Sequence, residues 1–272
     1  MQAKTGTIKR LAAIAGDGHA EPLDLTHEFL AENHVVGFDN LAERAHSFIA
    51  LRSKLMKHVR ETGQRVFAVT SVQPGNGKTH VGVNLAAVLS RIAPTKLIEL
   101  DLRRPTIGTR LGVGQTSIGI DDFLDGNARW QDSVEHIHGF DLTVHRVRQP
   151  RADAGALLGS LRTRHLFEAI RELPDAPICI IDTPPVFIDD DFMLVAPGLD
   201  GVLMVVEEGR TTRRALRDTI DALKPTPVLG TVLNKSISSA ATRIDYGYYH
   251  YADAPPRGWR QRARAVWNRI RP

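Results

Sequence analysis

The chain of 272 residues is 42% hydrophobic and 24% charged, which is the composition of a globular protein. Its single cysteine, Cys179, excludes a disulfide within the chain, and its apolar runs are too short to span a bilayer, so we expect a cytoplasmic protein. Residues 243–272 hold seven arginines and two aspartates, a net charge of +5, whereas the whole chain carries +4, so the basic charge is concentrated in this terminal segment.

The predicted elements alternate between helices and short strands. Residues 1–37 lack a regular pattern and are predicted to form a partly ordered arm. Apolar residues recur at helical spacing over residues 40–59. Runs rich in β-branched residues then predict strands at 65–71, 96–100, 142–147, 178–182, 201–207 and 228–234. Helical patterns separate several of these strands, at 79–92, 155–173 and 211–223.

This order of elements predicts the fold class. Strands that alternate with helices form a mostly parallel sheet with helices on both faces. We therefore predict one α/β domain over residues 38–242. The pattern stops at residue 243, and residues 243–272 are predicted to form a flexible tail with a tyrosine cluster and a basic, amphipathic end.

A glycine-rich loop follows the first predicted strand, in the stretch "VTSVQPGNGKTHVGVNLA". Gly75 and Gly77 let backbone N–H groups turn toward phosphate oxygens at the start of the next helix. Lys78 would reach the phosphates, and the hydroxyl of Thr79 would bind magnesium. The first glycine of the usual phosphate-loop pattern is replaced by Val72, so the loop is a variant of that pattern.

Acidic residues end two of the predicted strands. Glu99 and Asp101 close the second strand in "LIELDLRRP", at alternate positions that face the same side, and Arg103 follows. Asp182 closes the fourth strand in "ICIIDTPP". Because ligands bind beyond the carboxyl ends of parallel strands, we expect these acids beside the phosphate loop, with Asp182 orienting magnesium.

These three motifs, with the terminal stretch "DYGYYHY", resemble the bacterial tyrosine kinases of capsule and exopolysaccharide synthesis, a branch of the MinD/ParA-like phosphate-loop ATPases. The resemblance covers roughly residues 40–251 and implies a phosphate-loop NTPase fold that uses ATP and Mg²⁺. It implies a nucleotide site formed by Gly75, Asn76, Gly77, Lys78, Thr79, His80 and Asn234. It assigns catalysis to Lys78, Glu99, Asp101, Arg103 and Asp182, and metal binding to Thr79, Asp101 and Asp182. The implied phosphate acceptors are all the tyrosines of the chain, Tyr246, Tyr248, Tyr249 and Tyr251.

The same resemblance implies partners and a place in the cell. The kinase would assemble with itself and phosphorylate neighbouring chains, and a transmembrane polysaccharide co-polymerase or chain-length regulator would activate it.

Asp191 matches a family acid after the third motif. The sequence departs from the family at Glu99, where an aspartate is usual. It also departs from the Glu–Arg–Arg motif that family members use for self-association, since His46 and Ile49 replace the first two residues and only Arg52 matches.

Several alternatives remain at this point. The tail "RGWRQRARAVWNRIRP" places its tryptophans on one helical stripe, which would suit binding to an anionic membrane surface at the inner face of the plasma membrane. The alternatives are a solvated basic tail and a helix that packs on the protein's own acidic surface. We expect no nucleic-acid binding, because the rest of the chain has no basic field. The chain could instead be an ATPase switch of the MinD/ParA type without kinase activity, or an ATP-binding scaffold of the export machinery.

Overall fold

The computed structural model describes residues 23–39 and 43–236. The strands in these ranges are β1 Val66–Ser71, β2 Thr95–Glu99, β3 Glu135–His136, β4 Leu142–His145, β5 Ile178–Asp182, β6 Gly201–Glu207 and β7 Val228–Asn234. The α-helices are α1 His27–Glu32, α2 His46–Thr62, α3 Lys78–Leu89, α4 Ile107–Leu111, α5 Ile120–Asp125, α6 Ala154–Leu158, α7 Leu161–Arg171, α8 Asp191–Val195 and α9 Arg213–Ala222. Short 3-10 helices cover Glu43–Ala45, Trp130–Ser133 and Ala196–Gly198.

The strands form one sheet in the order β3-β4-β2-β5-β1-β6-β7. All neighbours run parallel except β3, which pairs antiparallel with β4. The phosphate-loop strand β1 therefore lies between β5 and β6, and β5 lies beside β2, where Glu99 pairs with Asp182. This arrangement confirms the predicted α/β class and brings the acidic strand ends next to the loop after β1.

Two apolar layers cover the two faces of the sheet, and β1 contributes to both. Val66 and Ala68 pack into the layer that contains α5 to α9, while Phe67 and Val69 pack against α1 to α4. This alternation follows from the two-residue period of a strand. All six residues of β1 are buried, as expected for a central strand of a parallel sheet.

One predicted helix is divided in the structure, one predicted strand is shorter, and one strand of the structure was not predicted. The helix predicted at 155–173 is two helices, because Gly159 ends α6 and the Ser160 hydroxyl caps α7 by accepting from Thr163 N at 3.3 Å. The strand predicted at 142–147 ends at His145, because the next backbone carbonyl bonds to a residue outside the sheet. Arg146 O accepts from Ile120 N at 2.8 Å. Strand β3 was not predicted, because a two-residue strand carries no periodic signal.

Residues 23–39 pack against the body of the domain. Leu23 N donates to His136 O, and the backbone N–H groups of Val36 and Gly37 donate to the Asn84 carboxamide on α3. Leu30 is 4% exposed. The predicted domain boundary after residue 37 falls inside this packed segment, whereas the boundary after residue 242 lies outside the described residues. No helix of the described ranges combines the length and the apolarity needed to cross a membrane.

Candidate active site

The loop between β1 and α3 turns at two glycines. Gly75 and Gly77 adopt left-handed conformations, with φ of 82° and 95°. The Asn76 carboxamide accepts from Gln73 N at 3.0 Å and so closes the turn. Val72, at the position of the missing glycine, is 5% exposed and belongs to the apolar layer. In this variant loop the side chain of Val72 packs in the core, and the turn is formed at Gly75 and Gly77.

Lys78 lies between two of the predicted acids. Its Nζ is 2.7 Å from Asp101 Oδ2 and 3.6 Å from Asp182 Oδ1. Burial opposes the charge on Lys78, but the attraction of Asp182 and Asp101 outweighs it and raises the pKa of Lys78. The lysine is therefore a charged group at the start of α3, next to the space that the phosphates would fill.

Asp182 and Thr79 form the group that best fits a magnesium ion. The Thr79 hydroxyl donates to Asp182 Oδ2 at 2.7 Å and accepts from the Thr106 hydroxyl at 3.0 Å. Asp182 Oδ1 is buried and makes no hydrogen bond. No group of three or more His, Cys, Asp or Glu in the described residues could hold a metal by itself. Magnesium does not need such a group, since it is usually bound by one or two carboxylates, water and substrate phosphates.

Glu99 is engaged differently from its predicted partner Asp101. Its Oε1 accepts from Thr106 N at 2.6 Å and Ile107 N at 2.8 Å, and its Oε2 accepts from Val147 N at 3.0 Å. Burial raises the pKa of Glu99 to about 7, although these backbone donors act in the opposite direction. With 1% exposure and both oxygens bonded, Glu99 ties the start of α4 to the end of β4.

Arg103 is likewise held by protein groups. It makes a two-pronged contact with Asp191, at 2.7 and 3.1 Å, and a third bond to Ala152 O at 3.1 Å. Asp191 is 1% exposed, and Asp189 also lies 3.2 Å from the guanidinium. Arg103 thus anchors the loop after β5, and the family acid matched by Asp191 serves as its partner.

A cavity of about 320 Å³ opens above the phosphate loop. Besides loop residues, its lining includes Lys78, Thr79, His80, Asp101, Arg103, Arg104 and Arg110. Burial, and next the charge of Arg110, lower the pKa of His80 to about 4, so this imidazole is neutral at neutral pH. Within the described chain the Arg104 guanidinium has no bonding partner, unlike that of Arg103. Sequence reasoning missed Arg104 and Arg110 as lining residues, and the doubled arginine in "LRRP" was the available signal.

Asn234 reaches the phosphate loop from the end of β7. Its Nδ2 donates to Asn76 O at 2.8 Å, and a Cβ added to Gly77 would collide with the same nitrogen. Lys235 donates to Gly75 O at 2.7 Å. The last strand therefore supports the loop directly, so Asn234 lies at the expected end of the sheet and is bonded to the loop backbone.

The remaining predicted residues divide into two groups. Arg52 donates to Val88 O at 3.1 Å within the same chain, and so the arginine matched to the association motif has an internal partner. The four tyrosines that the resemblance implies as phosphate acceptors, and the basic tail, lie outside the described residues. The structure thus brings together Lys78, Thr79, Asp101 and Asp182, and places Glu99 and Arg103 beside them in supporting contacts.

The chain was compared with known proteins. No protein-family model matches it. Tyrosine-protein kinase CpsD of Streptococcus agalactiae is 30% identical over 209 residues, which cover 76% of this chain and 90% of that protein. Succinoglycan biosynthesis transport protein ExoP of Rhizobium meliloti is 28% identical over 242 residues, covering 87% of this chain but only 29% of ExoP.

Solved structures agree with these sequence relatives. The kinase domain of Escherichia coli tyrosine kinase ETK superposes with a TM-score of 0.69 at 27% identity, over 79% of this chain and 84% of that domain. Cobyrinic acid a,c-diamide synthase from Mycobacterium smegmatis, solved with an ATP analog and magnesium, shares the fold alone. Its TM-score is 0.51 at 20% identity, over 62% of this chain and 74% of that one. With a phosphate loop facing two strand-end acids, and a kinase relative matched over nearly its whole length, the chain belongs to the family of bacterial tyrosine kinases.

Proposed function

We propose that the chain is an ATP- and magnesium-dependent tyrosine autokinase that acts in exopolysaccharide synthesis or export. It would transfer the γ-phosphoryl group of ATP to its own terminal tyrosines, Tyr246, Tyr248, Tyr249 and Tyr251. The observation that carries this proposal is the position of Lys78 between Asp101 and Asp182, with the Thr79 hydroxyl on the same Asp182 carboxylate. The name of the relative ExoP supports the link to a polysaccharide.

The described residues suggest how the chain binds ATP. The left-handed glycines at 75 and 77 expose backbone N–H groups to the phosphates, and Lys78 would exchange Asp101 for phosphate oxygens. Thr79 and Asp182 would hold magnesium, which neutralises charge on the phosphate oxygens when it is bound. Asn234 would keep the loop in position through Asn76 O.

The acids would then take separate roles. Asp101 lines the cavity, and once Lys78 turns to the phosphates its carboxylate is free to contact the metal or to accept the proton of a tyrosine hydroxyl. Glu99 would position the site, because it holds Thr106, whose hydroxyl bonds Thr79. Arg104 would supply positive charge at the rim, and Arg103 would hold the loop that carries Asp191.

We propose that transfer takes place between chains. Tyr246 is the twelfth residue after Asn234, so the tether spans at most roughly 40 Å when fully extended. Since Asn234 already contacts the phosphate loop, a tail of the same chain would have to double back to approach the γ-phosphate in line. The tail of a neighbouring chain has no such constraint.

Partners and location are part of the same proposal. A transmembrane polysaccharide co-polymerase would activate the kinase, and the similarity to ExoP, a succinoglycan biosynthesis transport protein, supports this partner. Residues 257–272 would bind an anionic membrane surface and keep the kinase at the inner face of the plasma membrane. We propose no nucleic-acid partner.

Mass spectrometry of the full-length protein after incubation with ATP and magnesium tests the proposed activity. Phosphate on residues 246–251 is the expected result, and it excludes an ATPase switch without kinase activity as well as a passive scaffold. ATP hydrolysis without phosphotyrosine would support the switch instead. Binding of ATP with neither hydrolysis nor phosphotyrosine would support the scaffold.

A further inference from the structure

Asn84 lies on α3, one helical turn after His80, and its side chain is completely buried. Its Oδ1 accepts from Val36 N at 2.7 Å and from Gly37 N at 2.9 Å. Because a backbone N–H group can only donate a hydrogen bond, the oxygen of the carboxamide must face these two residues. The amide nitrogen Nδ2, which can only donate, is therefore turned toward His80.

This orientation of Asn84 determines which nitrogen of His80 carries the proton. Asn84 Nδ2 lies 3.3 Å from His80 Nδ1 and donates to the backbone oxygen of the same residue at 2.9 Å. A proton on Nδ1 would place two donors against each other, so Nδ1 is the acceptor in this contact. The imidazole then carries its one proton on Nε2.

The segment before α2 holds Asn84 together with another residue of the nucleotide cavity. Asn84 Nδ2 donates to His34 O at 3.3 Å, and Arg110 Nη1 donates to Asn33 O at 3.2 Å. Like His80, Arg110 lines the nucleotide cavity. Backbone groups of two consecutive residues of this segment thus contact the side chains that hold or line the site.

His80 Nε2 is the one nitrogen of this ring that the protein leaves available. Within residues 23–39 and 43–236 no group forms a hydrogen bond with it, although the side chain lines the nucleotide cavity. Phe48 packs edge to face on the imidazole with ring centres 5.7 Å apart, and it supplies no acceptor. The ring is therefore held on one side by Asn84 and offers a single N–H donor to a ligand.

We propose that Asn84 is a positioning residue of the nucleotide site, which holds His80 so that its Nε2–H donates to a phosphate oxygen of ATP or ADP. Phosphate is the expected acceptor because His80 follows Lys78 and Thr79 in the first turn of α3, and anions bind at the amino terminus of a helix. A hydrogen bond to such a charged acceptor is stronger than one between neutral groups. The proposal rests on the proposed function, since it requires that the cavity bind ATP.

Nitrogen NMR of the full-length protein without nucleotide tests the part of the proposal that concerns Asn84. Among the 11 histidines of the chain, the signals of His80 are those lost in His80→Phe. We expect the proton on Nε2 in the parent protein, and a proton on Nδ1 would overturn the proposal. In Asn84→Asp, one carboxylate oxygen can still accept from Val36 N and Gly37 N, while the other turns an acceptor toward Nδ1. Nδ1 should therefore become protonated in this variant, and an unprotonated Nδ1 there would also overturn the proposal.

Calorimetry with ADP and magnesium tests the contact with the nucleotide. His80→Phe keeps a ring but has no donor, and we expect it to bind ADP about tenfold more weakly than the parent does. His80→Gln, whose amide can donate from about the position of Nε2, should recover most of this loss. His27→Phe, at an exposed histidine of α1, is the matched control and should bind as the parent does. Equal affinity of the parent and His80→Phe proteins would overturn the proposal.

A double-mutant cycle separates positioning by Asn84 from the charge that Asn84→Asp introduces. If Asn84 acts through His80, Asn84→Asp should weaken ADP binding in the parent but have little further effect in the His80→Phe protein. An equal loss in both proteins would assign the effect to charge alone and overturn the proposal. Failure of the parent to bind ADP would contradict the proposed function, whereas ADP binding that is indifferent to His80 would contradict only this inference.

Discussion

Lys78 Nζ lies 2.7 Å from Asp101 Oδ2, so the residue expected to bind phosphate is held by an acid expected to take part in transfer. The pair joins the start of α3 to the end of β2, which are brought together only by the sheet. Phosphate oxygens would compete with Asp101 for the ammonium, so ATP binding and the release of Asp101 are coupled in this account.

Glu99 gives a prediction about pH. Its ordinary pKa of 4.5 is raised to about 7 by burial, so between these values the folded protein binds more protons than the unfolded chain. Its contribution to stability is therefore fully present below pH 4.5 and is lost as the pH rises through 7. We expect the difference in Tm between the parent and Glu99→Gln to shrink over this range. A difference that widens with rising pH would mean that Glu99 is ionised in the fold, with a pKa below its ordinary value.

Arg103 and Arg104 are adjacent in the sequence but are expected to respond oppositely to mutation. Arg103→Gln leaves the buried Asp191 without its partner and should destabilise the fold by about 2 kcal/mol. Arg104→Gln removes an unpartnered charge from the cavity, so it should leave Tm unchanged and lower kcat/KM about tenfold, or about 1.4 kcal/mol. Thermal unfolding and steady-state kinetics of both variants check this, and a stable, inactive Arg103→Gln protein would support the catalytic role that the family resemblance implies.

Gly77 is expected to tolerate no side chain. Gly77→Ala forces alanine into a left-handed conformation, which costs about 1 kcal/mol. Its methyl group would also collide with Asn234 Nδ2. Gly139→Ala is a matched control, since Gly139 has φ of 79° and no atom within 4 Å of an added Cβ. We expect both variants to lose some stability but only Gly77→Ala to lose ATP binding, measured by calorimetry. Equal ATP affinity in the two variants would show that the contact with Asn234 does not control the loop.

Transfer between chains can be tested by mixing two proteins. One carries Lys78→Met and keeps its tyrosines, and the other is active but has all four tyrosines replaced by phenylalanine. We expect phosphotyrosine to form on the Lys78→Met chain, since a neighbour's site can reach its tail. Absence of label on that chain, under conditions in which the parent protein labels itself, would show that transfer stays within one chain.

The sequence predicted the parts of the fold that depend on local pattern. The buried strands, the loop at 75–79 and the acids at strand ends all follow from apolar periodicity and residue spacing, and strand ends in a parallel sheet meet at one edge. Asp182 is therefore predicted to lie beside the phosphate loop, and the strand that it ends pairs directly with β1.

The contacts of individual side chains could not be predicted in this way. Alternation along a strand predicts that Glu99 and Asp101 face the same side, yet the oxygens of Glu99 bond to residues 106, 107 and 147, which come close only in the folded chain. The same holds for Arg103, whose partner Asp191 is far along the sequence. Spacing identifies which residues share a site, but the tertiary structure determines which protein groups each of them contacts.

The central claim is that the Lys78 site phosphorylates the terminal tyrosines, and phosphotyrosine formation by the Lys78→Met protein tests it most directly. Lys57→Met, at an exposed lysine of α2, is the matched control. With ATP and magnesium, mass spectrometry should detect phosphate on residues 246–251 of the parent and of Lys57→Met, and none on Lys78→Met, with all three proteins folded. Undiminished phosphotyrosine in Lys78→Met would contradict the account, because the chemistry would then lie at another site.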